Sequence, residues 1–105
     1  MAVRIGDVQT FSEFERFDKA QACKVLEEAA EVYAAWQKCK PWYGCGAKMM
    51  NERQRVAGGD AVDELIAECA DLITATSNLL AGLGVDDMTE PMKRCVLKNN
   101  ARGHY

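Results

Sequence analysis

The chain contains a single histidine, His104, and two prolines, Pro41 and Pro91, among its 105 residues. No stretch approaches 18 consecutive apolar residues, so no membrane-spanning helix is expected. Residues 1–10 lack an apolar run of signal-peptide length, and a cytoplasmic location is the expectation. The net charge is −3 and no strongly basic face can be read, which excludes duplex nucleic acid as a natural partner. An acidic protein that handles phosphates needs a cation between the two. The five cysteines, Cys23, Cys39, Cys45, Cys69 and Cys95, form no C-x-x-C pair. Their odd number, without a secretion signal, favours free thiols over a disulfide framework. Cys39 and Cys45 have no second ligand pair in sight, so no zinc is expected there. Cys23, Cys69 and Cys95 read as small core hydrophobes. Internal repeats and low-complexity segments are also missing.

The composition, 49% hydrophobic and 28% charged, is that of an ordinary globular domain. One all-α domain over residues 1–105 is expected, a small bundle of three to four helices. A first helix is predicted over about 10–40. Thr10 and Glu13 have the spacing of a capping box, Val25, Ala29, Val32 and Trp36 make an apolar stripe, and Pro41 marks the end. Residues 41–59 read as a connection. Its polar stretch 47–56 allows a short helix, broken by Gly58-Gly59. A second helix is predicted over about 60–83, with Asp60 as N-cap and Gly82 and Gly84 as stop signals. Leu65, Cys69, Leu72, Thr76, Leu79 and Leu83 form its stripe, widened by Ile66, Ile73 and Leu80. A third helix over about 89–102 starts close to Pro91, since proline fits only a first turn. Its Met92, Cys95, Val96 and Asn99 are expected to face the core. Three helices leave Leu, Ile and aromatic positions uncovered, so a homodimer or homotetramer is expected, with Phe11, Phe14 and Phe17 in the core or the subunit interface.

The chemistry lies in acidic residues set inside apolar helices. Glu28 and Glu31 are three apart on the first helix, and Glu68 and Asp71 are three apart on the second. That spacing puts each pair on one face. Glu64 and Asn78 extend the second pair into a stripe. If the two helices are antiparallel neighbours, the pairs meet, and four carboxylates in a partly buried site repel. A hard divalent cation relieves the repulsion, and oxygen ligands suit Mg²⁺ or Mn²⁺. Solvated acidic helix faces are the competing explanation for each pair alone.

Glu27-Glu28-x-x-Glu31 followed by Glu68-x-x-Asp71-Leu72 resembles the paired signature of the MazG-like, all-α nucleoside triphosphate pyrophosphohydrolases. Lys98-Asn99-Asn100-Ala101-Arg102-Gly103 is similar to the K-N-x-x-R-G tail of many members. The resemblance covers residues 20–102. It implies that Glu28, Glu31, Glu68 and Asp71 hold Mg²⁺. It also implies that Glu27 and Glu28 form the catalytic pair, Glu27 supporting the ligands or positioning water. Lys98, Asn99 and Arg102 would then contact substrate phosphates, the competing role being a cationic helix end. The implied reaction is hydrolysis of a nucleoside triphosphate to monophosphate and pyrophosphate.

Lys24 either reaches a phosphate or pairs with Glu28. Asn78 either reads the nucleoside or makes a helix–helix hydrogen bond. Trp36, Trp42 and Tyr43 either stack on a base or pack. The 41–59 connection departs from the family pattern in its length and its glycines. Phosphoribosyl-ATP pyrophosphatases share the Glu-Glu-Ala-Ala-Glu-Val block, but here Leu-Ile-Thr-Ala-Thr follows Asp71 where they carry an aromatic–His pair. That activity ranks second, and a non-catalytic helical interaction module is the alternative from another class.

Overall fold

A computed structural model describes residues 1–10, 17–43 and 49–103. The described residues form three helices and no strand: α1 (Lys19–Tyr43), α2 (Glu52–Gly82) and α3 (Thr89–Ala101). The fold is all-helical, as the periodicity predicts, although the helix boundaries differ in instructive ways.

α1 begins at Lys19, not at Thr10. Asp18 caps it, its Oδ1 accepting from the Gln21 backbone N–H at 3.0 Å. Phe17, before that cap, is non-helical and exposed. Phe11, Glu13 and Phe14 lie outside the described residues. Pro41 does not stop the helix, which runs on to Tyr43. The missing N–H falls in the last turn, where little helix remains to be broken. The Trp36 ring packs 5.7 Å from Tyr43, and the Trp42 ring lies 3.6 Å from where a Cβ on Gly58 would stand.

α2 starts eight residues before Asp60, behind a complete capping box. Asn51 Oδ1 accepts from Gln54 N–H at 2.8 Å, and Gln54 Oε1 accepts from Asn51 N–H at 2.9 Å. The break expected at Gly58-Gly59 is a kink within the helix: Gly59 has φ 31° and ψ −103°, a conformation only glycine adopts readily. At the far end Gly84, at φ 78°, closes a Schellman motif, with Val85 N–H donating to Leu80 O and Gly84 N–H to Ala81 O.

α1 and α2 pack as antiparallel neighbours and make nearly all the helix–helix contact. Cys39 Sγ lies 3.6 Å from the Ala61 carbonyl, Lys38 Nζ lies 2.9 Å from Glu64 Oε1, and Glu28 meets Glu68 and Asp71 further along. The face α1 buries runs Glu28, Ala35, Cys39 with Val32 half-buried. Ala29 and Trp36, expected on the apolar stripe, are exposed instead. α2 contributes Gly58, Val62 and Ala75, while Leu65, Cys69, Leu72, Thr76 and Leu79 are only half-buried and Leu83 is exposed.

Gly58 is buried, with Val62 of its own helix and Trp42 of α1 close to its α-carbon. A Cβ there would lie 2.9 Å from Val62 Cγ2 and 3.6 Å from the Trp42 ring. Val62 is itself buried and has little room to yield. Gly58→Ala is therefore expected to cost about 1–3 kcal/mol by overpacking, read as a fall in thermal midpoint. An unchanged or higher midpoint would show that the junction has slack.

The third helix departs from expectation most. Met92 (55% exposed) and Val96 (45% exposed) do not reach a core, and α3 buries no residue. The Cα radius of gyration is 16.1 Å, against about 13 Å for a compact domain of this length.

Candidate metal centre and cleft

α1 and α2 run past each other so that Glu28, Glu68 and Asp71 each place a carboxylate oxygen within 4.8 Å of the other two. The i, i+3 spacing puts Glu68 and Asp71 on the α2 face that meets α1. Glu28 is 6% exposed, Glu68 half-buried and Asp71 exposed, so the group grades from interior to solvent. Lys24 Nζ lies 3.0 Å from Glu28 Oε1 and 3.9 Å from Glu27 Oε2. This partner satisfies one Glu28 oxygen only. Glu28 Oε2 and Glu68 Oε2 are buried and make no hydrogen bond. Desolvated carboxylate oxygens without a donor are costly.

Glu31 stands at the solvent edge of the same group. Its carboxyl is held above the ordinary value of 4.5, first because it can share a proton with Glu68, then with Glu28, and further by the negative charge of both. Lys24 moves in the complementary sense. Its ammonium is held above the usual lysine range by the hydrogen bond to Glu28 and by the charges of Glu28, Glu27 and Glu31. Three of the sequence-predicted carboxylates, Glu28, Glu68 and Asp71, therefore come together, with Glu31 at their edge beside Glu68 and Glu28. Glu64 does not join them, because Lys38 neutralises it one turn away.

The raised Glu31 value has a stability consequence. Between 4.5 and the raised value the folded chain binds more protons than the unfolded one, so its stability falls as pH rises through that window. Chelator-treated protein is expected to melt higher just above pH 4.5 than at neutrality, and Glu31→Gln to flatten that slope. The Asp87 contribution is separate. Its carboxyl is lowered by the Thr89 hydroxyl and then by the Thr89 N–H, so its stabilisation is lost only below the ordinary aspartate range. A pH-independent melting point across the window would contradict the shared-proton geometry.

Beside the carboxylates lies an open cleft of about 390 Å³. Gln21, Lys24 and Glu28 line it from α1, and Asp71, Thr74 and Asn78 from α2. Asn78 faces it two turns beyond Asp71, as its spacing predicts. Gln21 and Thr74 were not legible as site residues. Thr74 is i+3 from Asp71, and Gln21 i−3 from Lys24, so the same helical arithmetic would have placed them. Thr74, which lines the cleft, donates its hydroxyl to the Ala70 carbonyl at 2.9 Å. Lys98, Asn99 and Arg102 do not line the cleft, because α3 stands apart.

The aromatic residues of α1 pack on one another. Trp36 lies 5.7 Å from both Tyr33 and Tyr43, with Lys40 Nζ 5.2 Å above its ring. Cys39 is buried and near the Ala35 and Ala61 carbonyls, while Cys45 lies outside the described residues. No described helix is long and apolar enough to cross a membrane.

No family model, curated protein or solved structure matches the chain.

Proposed function

We propose that the chain is a Mg²⁺-dependent hydrolase that cleaves a nucleoside triphosphate to a monophosphate and pyrophosphate, as its resemblance to MazG-like proteins implies. The observation that carries this reading is the pair of buried, partnerless oxygens, Glu28 Oε2 and Glu68 Oε2, beside Asp71 and at the edge of a cleft. Such oxygens fit a hard divalent cation, and the donor set is oxygen only. Glu28, Glu31, Glu68 and Asp71 hold Mg²⁺, or Mn²⁺ in its place. The ion supplies charge neutralisation at phosphate oxygens and a more acidic water.

The chain's own groups do the rest. Lys24 projects its ammonium at the cleft edge, where it can move from Glu28 to a phosphate oxygen. Glu27, 66% exposed and paired with Lys24 at 3.9 Å, orients the attacking water. Asn78 offers a donor and an acceptor to the nucleoside, with Gln21 and Thr74 as further hydrogen-bonding groups. Lys98, Asn99 and Arg102, which stand outside the cleft of the single chain, are the groups that the resemblance assigns to the departing pyrophosphate. The assembly is a homodimer or homotetramer that covers Leu26, Tyr33, Met92, Val96 and Leu97, all exposed in the single chain. The role is nucleotide-pool housekeeping in the cytoplasm.

Incubating a panel of ribo- and deoxyribonucleoside triphosphates with the protein and Mg²⁺ tests the reading. Turnover that chelation stops is expected. Cleavage of phosphoribosyl-ATP alone would favour that substrate, and no turnover together with no response to divalent ions would favour a non-catalytic module.

A further inference from the structure

Lys24 stands where the carboxylate group meets the cleft. Its ammonium lies 3.0 Å from Glu28 Oε1 and 3.9 Å from Glu27 Oε2, and the residue also lines the cleft. Among the described residues no other basic side chain lines that cleft, and the other lysine pairs lie elsewhere, Lys38 with Glu64 and Lys93 with Glu90. Glu28 is 6% exposed, and its second oxygen, Oε2, is buried without a donor, as is Glu68 Oε2. Glu28, Glu68 and Asp71 bring their oxygens within 4.8 Å of one another, with Glu31 at their edge. Lys24 is therefore the one ammonium, among the described residues, that offsets the charge of this group.

A divalent cation drawn to the same oxygens would stand within a few ångströms of that ammonium, and the two repel. The Lys24 side chain is 56% exposed and sits on a flexible four-carbon stem, so it can leave Glu28 without disturbing the helices. A triphosphate in the cleft offers the departing ammonium negative oxygens in exchange. We infer that Lys24 is a resident counter-ion: a divalent cation displaces it from Glu28, and it passes to the phosphates of the nucleotide. The cation alone then binds weakly, and the cation with its triphosphate binds tightly. The two affinities are coupled through one side chain, and the coupling is reciprocal. The nucleotide half of the inference rests on the hydrolase reading above; the cation half does not.

Calorimetric titration of the wild type, Lys24→Met and Lys24→Arg separates the halves. Two affinities are measured for each: that for Mg²⁺ alone, and that for an α,β-imido nucleoside triphosphate at saturating Mg²⁺. The substituted side chain is exposed, so circular dichroism should show unchanged helicity. Lys24→Met is expected to bind Mg²⁺ alone about tenfold more tightly, because the competing charge is gone, and to bind the analogue at least about tenfold more weakly. Lys24→Arg, which keeps the charge, should restore both affinities toward wild type. Lys38→Met removes the same charge beside Glu64, outside the cluster, and should leave both nearly unchanged.

Opposite shifts in the two affinities are the signature of a counter-ion, since a side chain that only props up the site would weaken both when lost. Mg²⁺ affinity that is unchanged or weaker in Lys24→Met overturns the proposal and makes Lys24 a clamp on Glu28. Tighter Mg²⁺ with unaltered analogue affinity overturns the transfer to phosphate. If Mg²⁺ binds more tightly to Lys24→Met while the wild type binds no analogue, the counter-ion stands and the hydrolase reading falls. Absence of Mg²⁺ binding to every form overturns both.

Discussion

Glu68→Gln and Asp71→Asn are each expected to abolish nucleotide hydrolysis while leaving the helices intact. Both residues supply oxygens to the cluster with Glu28. Even partners that only support a metal's ligands cost roughly 10–100-fold when removed, so loss of a ligand itself should exceed about 100-fold in kcat/KM. The fold has no need of the charge. Glu68 Oε2 is buried without a donor, and its only near neighbours in the cluster are other carboxylates. Glu68→Gln removes one negative charge, and the new side-chain amide adds a donor that Glu28 or Glu31 can accept. The metal-free variant should therefore melt at or above the wild-type temperature. Circular dichroism melts in chelator, paired with steady-state rates, check both halves. A variant that unfolds would instead identify Glu68 as a structural residue.

The second large effect is stabilisation by divalent cations. Glu28, Glu68 and Asp71 converge with Lys24 paired to Glu28 alone among them, and an ion that binds only the folded chain shifts unfolding by mass action. At ten times its dissociation constant it contributes about 1.4 kcal/mol. For a domain of this size that corresponds to a rise of about 6–11 °C. Mg²⁺ and Mn²⁺ should both produce it, chelation should reverse it, and Glu68→Gln should lose most of it. Glu64→Gln is the control, since that carboxylate is already paired with Lys38 outside the cluster. An equal response in both variants would mean diffuse screening of surface charge.

The parts of this molecule that helical arithmetic governs were legible in its sequence. The i, i+3 spacings of Glu28 with Glu31 and Glu68 with Asp71 fixed which carboxylates share a face, and antiparallel packing brought the faces together. Asn78 followed from the same periodicity, and the glycines at 82 and 84 marked the end of α2. What misled was local signal without tertiary support. The helix start was expected at Thr10, yet Asp18 caps α1, because a side-chain cap can be offered at several places along a polar segment; the partner expected for Thr10, Glu13, lies outside the described residues. Pro41 reads as a stop, but near a C-terminus it removes little. Asn51 and Gln54 do form a capping box, one hidden in a stretch that reads as a connection. The packing of α3 was not legible, because an amphipathic stripe specifies an apolar neighbour without saying which chain provides it. The same gap hid the status of Lys98, Asn99 and Arg102. Their charge and order are visible in sequence, while their separation from the cleft depends on the turn at Gly84.

The central claim is that the carboxylate cluster and its cleft direct attack to the phosphorus that joins the nucleoside to pyrophosphate. Phosphorus NMR of the products, taken while a nucleoside triphosphate is turned over in Mg²⁺, tests it most directly. Monophosphate and pyrophosphate in equal amounts, with neither diphosphate nor orthophosphate, is the predicted result; diphosphate accompanied by orthophosphate would contradict it.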